Sequence, residues 1–251
     1  MIDIDFTGKV VLVTGGTRGV GRGIAGRFAD AGATVAVAAR KEVDDLPAGW
    51  TFVAGDLRDG EGAAAVIDEV VARCGRIDVL VNNAGGSPPA DTATAPARFT
   101  ERIVALNLLA PIYCSQRANH HMQQQESGGA IVNVGSVCGM RPSPTTAAYG
   151  AAKAGLINFT MTAAMEWAPK VRVNIVSCGM VRTEQAHLFY GDDEGIARVS
   201  ATVPLGRMAV PTDVGDICLF LASPLASYVT GANLVAHGGG ERPPYLDAAA
   251  Q

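Results

Sequence analysis

The sequence predicts a doubly wound α/β domain built on a parallel sheet of about seven strands, with helices on both faces. Three observations predict it. Short runs that are apolar on consecutive residues, such as 10–13, recur along the chain. A strand without a polar face is buried on both sides, as strands of parallel sheets are. Longer amphipathic stretches alternate with these runs, which is the pattern of right-handed strand–helix–strand crossovers. No proline- or serine-rich linker, composition shift or internal repeat interrupts the alternation, so residues 1–251 read as one domain.

Taken in order, the strand candidates are 9–13, 34–39, 51–54, 78–81, 130–134, 172–176 and 233–236. The helix candidates between them are 19–31, 60–74, 96–123, 148–168 and 211–222. The 40–50 connection has only about ten residues, the lower limit for a parallel crossover, so any helix there is one turn or absent. Residues 182–210 follow the sixth strand and read as a lid of short helices. The tail, 241–251, reads as irregular, with Pro243, Pro244 and Tyr245 able to dock on a neighbour.

Composition excludes several function classes. Hydrophobic residues make up 48% and charged residues 18%, an ordinary globular balance. The net charge of -4 and the absence of a basic stripe argue against a nucleic-acid partner. The apolar runs are too short to span a bilayer, and the acidic start, Met1-Ile-Asp-Ile-Asp-Phe6, is unlike a cationic signal peptide. The expectation is a soluble, cytoplasmic protein. Five cysteines at 74, 114, 138, 178 and 218 are odd in number and scattered, which fits reduced thiols. His120 and His121 are adjacent, and on a helix they point about 100° apart, so no metal site is expected.

The first strand runs into Thr14-Gly-Gly-Thr-Arg-Gly-Val-Gly21, which opens the first helix. Gly15 permits the tight turn, Gly19 close backbone approach to a pyrophosphate, and Gly21 close packing of helix on strand. The free N–H groups at the helix start face the anion. A strand before and a helix after this turn make it a dinucleotide site of Rossmann type. At the end of the second strand the chain reads Ala38-Ala39-Arg40-Lys41, with no acid before Glu42. A carboxylate there would hold a ribose 2′-hydroxyl, whereas Arg40 grips a 2′-phosphate in a fork and Arg18 adds a second cation. The reading is NADP(H), with NAD(H) less favoured. Asp56 should hydrogen-bond the adenine and Leu57 pack on it. Asn82-Asn83-Ala84-Gly85 closes the fourth strand with small residues that admit the cofactor.

Ser136, Tyr149 and Lys153 form Ser-x12-Tyr-x3-Lys. A phenol keeps its proton at neutral pH, its ordinary pKa being about 10. Residues four apart share a helix face, so the Lys153 ammonium is placed to favour the phenolate. Ser136 supplies a hydroxyl that can hold a carbonyl or alcohol oxygen. Asn107 interrupts the apolar run 103–110, and a buried amide needs partners. Beside a dinucleotide site, this is machinery for hydride transfer.

These residues resemble the short-chain dehydrogenase/reductases, in the single-domain branch of roughly 250 residues that includes 3-oxoacyl-thioester reductases. The resemblance runs from Gly8 to about Gly240 and rests on the glycine turn, Asp56-Leu57, Asn82-Asn83-Ala84-Gly85, Asn107, Ser136, Tyr149-Gly-Ala-Ala-Lys153 and Pro204-Leu-Gly-Arg207. It implies that Tyr149 is the general acid/base, that Lys153 lowers its pKa and binds the nicotinamide ribose, and that Ser136 orients the substrate oxygen. Asn107 would hold a water that continues the proton path. Nucleotide contacts carry over to Gly15, Thr17, Arg18, Gly19, Val20, Gly21, Arg40, Asp56, Leu57, Asn83, Ala84, Gly85, Val181 and Thr183. Relatives of this kind build dimers and tetramers through the helices near 96–123 and 148–168, which implies a homo-oligomer.

The chain departs from the family pattern in three places. Cys178-Gly179 stands where most relatives have Pro-Gly, which removes a fixed φ from the loop carrying Met180, Val181 and Thr183. His237-Gly238-Gly239 replaces a late Asp-Gly-Gly, and the connection at 41–50 is short. The substrate stays open. A 3-oxoacyl thioester is the family default, with a cyclic ketone or steroid-like alcohol beside it. His187, Leu188, Phe189 and Tyr190 either line an apolar pocket or cover the core. An NAD-dependent secondary-alcohol dehydrogenase and a non-catalytic NADP(H)-binding regulator remain as alternatives.

Overall fold

The computed structural model describes residues 4–241 together with Pro243, Tyr245 and Ala248. Its strands are β1 (Val10–Thr14), β2 (Thr34–Ala39), β3 (Thr51–Ala54), β4 (Val79–Asn82), β5 (Gly129–Ser136), β6 (Val171–Cys178) and β7 (Asn233–Ala236). All seven pair in parallel, in the order β3-β2-β1-β4-β5-β6-β7. The helices are α1 (Gly19–Asp30), α2 (Gly60–Cys74), α3 (Ala97–Val104), α4 (Ala110–Gln124), α5 (Ala147–Trp167), α6 (His187–Tyr190), α7 (Asp193–Ala201) and α8 (Pro211–Ala222).

The consecutive apolar residues of each strand feed two separate cores. Leu12, Leu80, Ile131 and Val173 point to the layer of Ile67, Val70, Cys114 and Met122 on α2 and α4. Their strand neighbours Val11, Val13, Val81 and Val132 point to the opposite layer, with Ile24 and Phe28 of α1 and Leu219 of α8. Successive side chains alternate across a strand, so a strand between two helix layers has to be apolar throughout. Phe28 is fully buried, a contribution of roughly 2–3 kcal/mol, and meets the Phe6 ring edge-on at 5.1 Å.

The strand order places the site. From β1 the chain moves outward through β2 and β3, then returns to β4 and continues the other way, so a crevice opens at the C-terminal ends of β1 and β4. The Pro204-Leu-Gly-Arg207 segment fixes the start of α8. Arg207 grips Asp213 at 2.6 and 2.9 Å, and the same carboxylate accepts the Val210 N–H at 2.7 Å.

The structure corrects the expected helix 96–123. It is divided by a π-helical turn, Ala105–Leu109, with the buried Asn107 at its centre. β5 and β6 also extend two residues past their expected ends, to Ser136 and Cys178, and pair those two Cα positions directly. The 40–50 connection carries no helix, and Arg22 of α1 holds it through the Asp45 carboxylate and carbonyl, both at 2.7 Å. Within 182–210 lie the short helices α6 and α7. Among the described residues, no helix is long and apolar enough to cross a membrane. The expectations for Met1, Ile2 and Asp3, and for Pro244 and most of the tail, fall outside the described residues. Within the tail, Glu241 pairs with Arg141 and Tyr245 is exposed.

Candidate active site

The glycine turn is held by polar contacts with the end of β4. The Thr14 hydroxyl oxygen accepts the Asn83 and Ala84 N–H groups, each at 3.0 Å. The Asn83 amide in turn donates to the Thr14 and Gly15 carbonyls at 3.0 and 3.3 Å. A Cβ on Gly21 would fall 2.2 Å from the Gly15 carbonyl oxygen, so only glycine lets α1 approach the turn this closely. Arg18, at the N-cap, makes no side-chain cap bond, which leaves the first N–H groups of α1 free for an anion.

A cleft of about 1090 Å³ runs along the C-terminal edge of the sheet, and every residue of the expected cofactor set lines it, from Gly15 and Thr17 to Val181 and Thr183. At its outer end stand Arg18, Arg40, Lys41, Asp56 and Arg58. Asp56, expected to meet the adenine, also pairs with Arg58. The Arg58 guanidinium grips its carboxylate and, with Arg40 adding a weaker pull, holds it below the usual carboxylate range.

At the inner end Ser136, Tyr149 and Lys153 come together. Ser136 ends β5, and its hydroxyl oxygen accepts the Cys138 N–H at 3.2 Å. Lys153 is buried, donates to the Val134 carbonyl at 2.8 Å and lies over the Tyr149 ring, 5.7 Å from its centroid. Burial pushes the Lys153 ammonium down to about 8. It pushes the Tyr149 phenol up to about 12, with hydrogen bonding toward Ser136 pulling the other way. The sequence expectation of a lowered phenol pKa is therefore reversed in the open cleft. Desolvation outweighs the hydrogen bonding toward Ser136, and Tyr149 rests as the acid.

Asn107 does not line the cleft. Its amide nitrogen donates to the Gly86 and Ile103 carbonyls, both at 2.9 Å, and its oxygen accepts the Gly86 N–H at 2.8 Å. The π turn thus clamps the loop after β4 to the helix beside Lys153. A Cβ on Gly85 would stand 2.7 Å from the Asn107 oxygen and 3.5 Å from Lys153 Nζ, so the three groups converge.

Cys178 lines the cleft, and burial pushes its thiol up to about 12 against the pull of Lys153, so it stays protonated and unreactive. Without proline, the following loop is pinned by backbone instead. Gly179 donates to Ala236 at 2.8 Å, Arg182 to Ala209 at 2.8 Å and Ala209 to Met180 at 3.0 Å. His237 packs against Gly179. The sequence reading passed over Arg58, Pro88 and Arg102. Arg58, Pro88 and Arg102 line the cleft, and Cys138 and Tyr190 stand close enough to the Tyr149 phenol to raise it. For Arg58 the available signal was its position two residues after Asp56.

A parallel sheet with a glycine turn at its switch point and a phenol–ammonium pair in the same cleft defines a dinucleotide-dependent oxidoreductase. A family model described as enoyl-(acyl carrier protein) reductase matches residues 15–241. A 3-oxoacyl-[acyl-carrier-protein] reductase of Vibrio harveyi is 36% identical over 94% of this chain and 98% of its own. The cis-4-hydroxycyclohexanecarboxylate dehydrogenase of Sinomonas cyclohexanicum is 36% identical over 93% and 97%. Among solved structures, the ligand-free aldohexose dehydrogenase of Thermoplasma acidophilum superposes with a TM-score of 0.89 at 30% identity, covering 95% of this chain and 96% of that one. The chain belongs to the short-chain dehydrogenase/reductase family, whose members act on CH–OH groups with NAD(P)(H). The cleft fits such a dinucleotide in volume, in its uncapped helix start and in its glycine cradle.

Proposed function

We propose that the protein is an NADP(H)-dependent reductase that interconverts a ketone or 3-oxoacyl carbonyl and a secondary alcohol. One observation carries this reading: a single cleft has Ser136, Tyr149 and Lys153 at one end and Arg18, Arg40 and Lys41 at the other. The cationic end suits a 2′-phosphate, and Asp56, already held by Arg58, does not oppose it. The bound nicotinamide supplies the hydride for the carbonyl carbon. Ser136 holds the carbonyl oxygen, and Tyr149, which rests as a phenol, donates the proton. Lys153 supports the developing phenolate and binds the nicotinamide ribose. Asn107 fixes the Gly85–Gly86 loop beside Lys153, against which that ribose would rest. Val181 and Thr183 hold the nicotinamide side, and Gly15, Thr17, Gly19, Val20 and Gly21 the pyrophosphate. Leu57 packs on the adenine.

The Vibrio harveyi relative supports a 3-oxoacyl thioester as substrate, and the Sinomonas cyclohexanicum relative supports a cyclic alcohol or ketone. The 3-oxoacyl thioester is the first choice. The test follows NADPH absorbance with acetoacetyl thioesters and a panel of cyclic ketones. No NADPH oxidation across the panel, with NADPH binding intact, assigns the chain to non-catalytic binding instead.

We also propose a cytoplasmic homo-oligomer. Its five cysteines are free, as a reducing compartment keeps them. On α5, Met161 and Met165 are 44% and 84% exposed, an apolar surface that a second copy would cover. Light scattering at micromolar concentration checks this, and a monomer refutes it.

A further inference from the structure

We propose that Arg58 is a positioning residue that fixes Asp56 as a single hydrogen-bond acceptor for the adenine amino group of the cofactor. The inference rests on the dinucleotide reading of the cleft but not on the choice between its two phosphorylation states. The Asp56 Oδ1 accepts the Arg58 backbone N–H at 3.1 Å and the Arg58 Nε–H at 2.8 Å. The Oδ2 accepts Arg58 Nη2, and the Nε–H is shared with it at 3.0 Å.

An ionised carboxylate offers about four acceptor directions, two on each oxygen. Arg58 brings three N–H donors to those four, two on Oδ1 and one on Oδ2, with the Nε–H leaning also toward Oδ2. One remains, on Oδ2, and the Asp56 side chain is 38% exposed in the wall of the cleft, so that direction is open to a ligand. The bidentate fork also locks the plane of the carboxylate, because a guanidinium and a carboxylate pair in a common plane. A free aspartate would lose rotamer freedom when it met the adenine, whereas this one is already oriented.

The chemistry selects the ligand edge. A carboxylate with one open lone pair takes one N–H donor and repels an oxygen. Adenine presents an amino group at that edge, and hypoxanthine presents a carbonyl oxygen. The Asp56 carboxylate is therefore a filter for a six-amino purine, and Arg58 holds it at the angle where the filter works. Arg58→Ala leaves the carboxylate free to turn and to hydrate. Arg58→Lys keeps the charge but loses the planar fork.

The experiment titrates full-length protein with NADPH and with its hypoxanthine analogue, following fluorescence, in four proteins: wild type, Arg58→Ala, Arg58→Lys and Asp56→Ala. The expected wild-type preference for the adenine cofactor is on the order of tenfold, as a hydrogen bond to a charged acceptor gives. The preference falls toward one in Arg58→Ala and Asp56→Ala and is intermediate in Arg58→Lys. A merely structural role for Arg58 would weaken both cofactors alike and leave the ratio intact, and that result overturns the proposal. A preference lost in Asp56→Ala but kept in Arg58→Ala also overturns it, while leaving the dinucleotide reading standing. If wild type binds neither cofactor, the reading of the cleft itself fails.

Discussion

The Lys153 ammonium lies over the Tyr149 ring, 5.7 Å from its centroid, and donates one N–H to the Val134 carbonyl at 2.8 Å. The cation is thus tied to the sheet before any ligand arrives, and the phenol rests in its acid form. Replacing Tyr149 with phenylalanine removes that acid without altering the ring packing. Turnover should fall by about 10²–10⁴-fold, the usual worth of a positioned acid, while NADPH affinity changes little. Steady-state kinetics and a fluorescence titration on the same preparation check this, and substantial residual activity would remove Tyr149 from the proposed mechanism.

Burial of Lys153 also makes a pH prediction. Its folded pKa, about 8, lies below the ordinary value of 10.5, so between those limits the unfolded chain holds more protons than the folded one. The contribution of Lys153 to stability therefore rises as pH rises from about 8 to 10.5, by roughly 3 kcal/mol across the window. Tyr149, displaced upward from 10.0 to about 12, contributes the opposite slope between those values. A Lys153→Met variant loses the first effect. Its stability relative to wild type, from denaturant titrations, should decline as pH climbs from 8 to 10. A constant difference would show that Lys153 is not desolvated.

Much of this was legible in the sequence because burial on both faces leaves a simple trace. The runs at Val10 and Ile131 have no polar alternation, and they became central strands. The glycine turn and the Tyr149–Lys153 spacing fixed which ends of those strands mattered. Three features could not be read there. A π turn shifts the hydrogen bond by one residue at Asn107, and a 3.6-residue pattern has no term for that. The sign of the Tyr149 shift depends on desolvation, which spacing does not report. Arg58 drew no notice there, because spacing alone does not show that its guanidinium folds back onto the carboxylate two residues earlier.

Asn107 has a structural load that can be separated from chemistry. Its amide makes three hydrogen bonds, two of them to Gly86. Asn107→Ala removes these three bonds and leaves the exposed Gly86 groups to water, at about 0.5–1.5 kcal/mol for each bond lost. The expected outcome is a lower denaturation midpoint together with lower kcat, since the loop beside Lys153 loses its clamp. Normal stability in this variant would mean that water replaces the amide.

The cofactor preference turns on Arg40, which follows β2 and faces the cleft without a salt-bridge partner within 4.0 Å among the described residues. Its guanidinium suits a 2′-phosphate in a way that Ala39 and Lys41 do not, because only arginine presents a planar pair of donors. Removing it should raise the KM for NADPH by about tenfold or more, the worth of one charge-assisted contact, and leave the KM for NADH nearly unchanged. Arg40→Glu should go further, since a carboxylate repels the 2′-phosphate and accepts from a ribose 2′-hydroxyl, so that NADH becomes the better cofactor. Arg18→Ala should have the smaller effect, because Arg18 also opens α1 and its backbone serves the pyrophosphate regardless of its side chain. Equal losses for NADPH and NADH in Arg40→Ala would place Arg40 against the adenine and not the 2′-phosphate, and the cofactor assignment would revert to NAD(H).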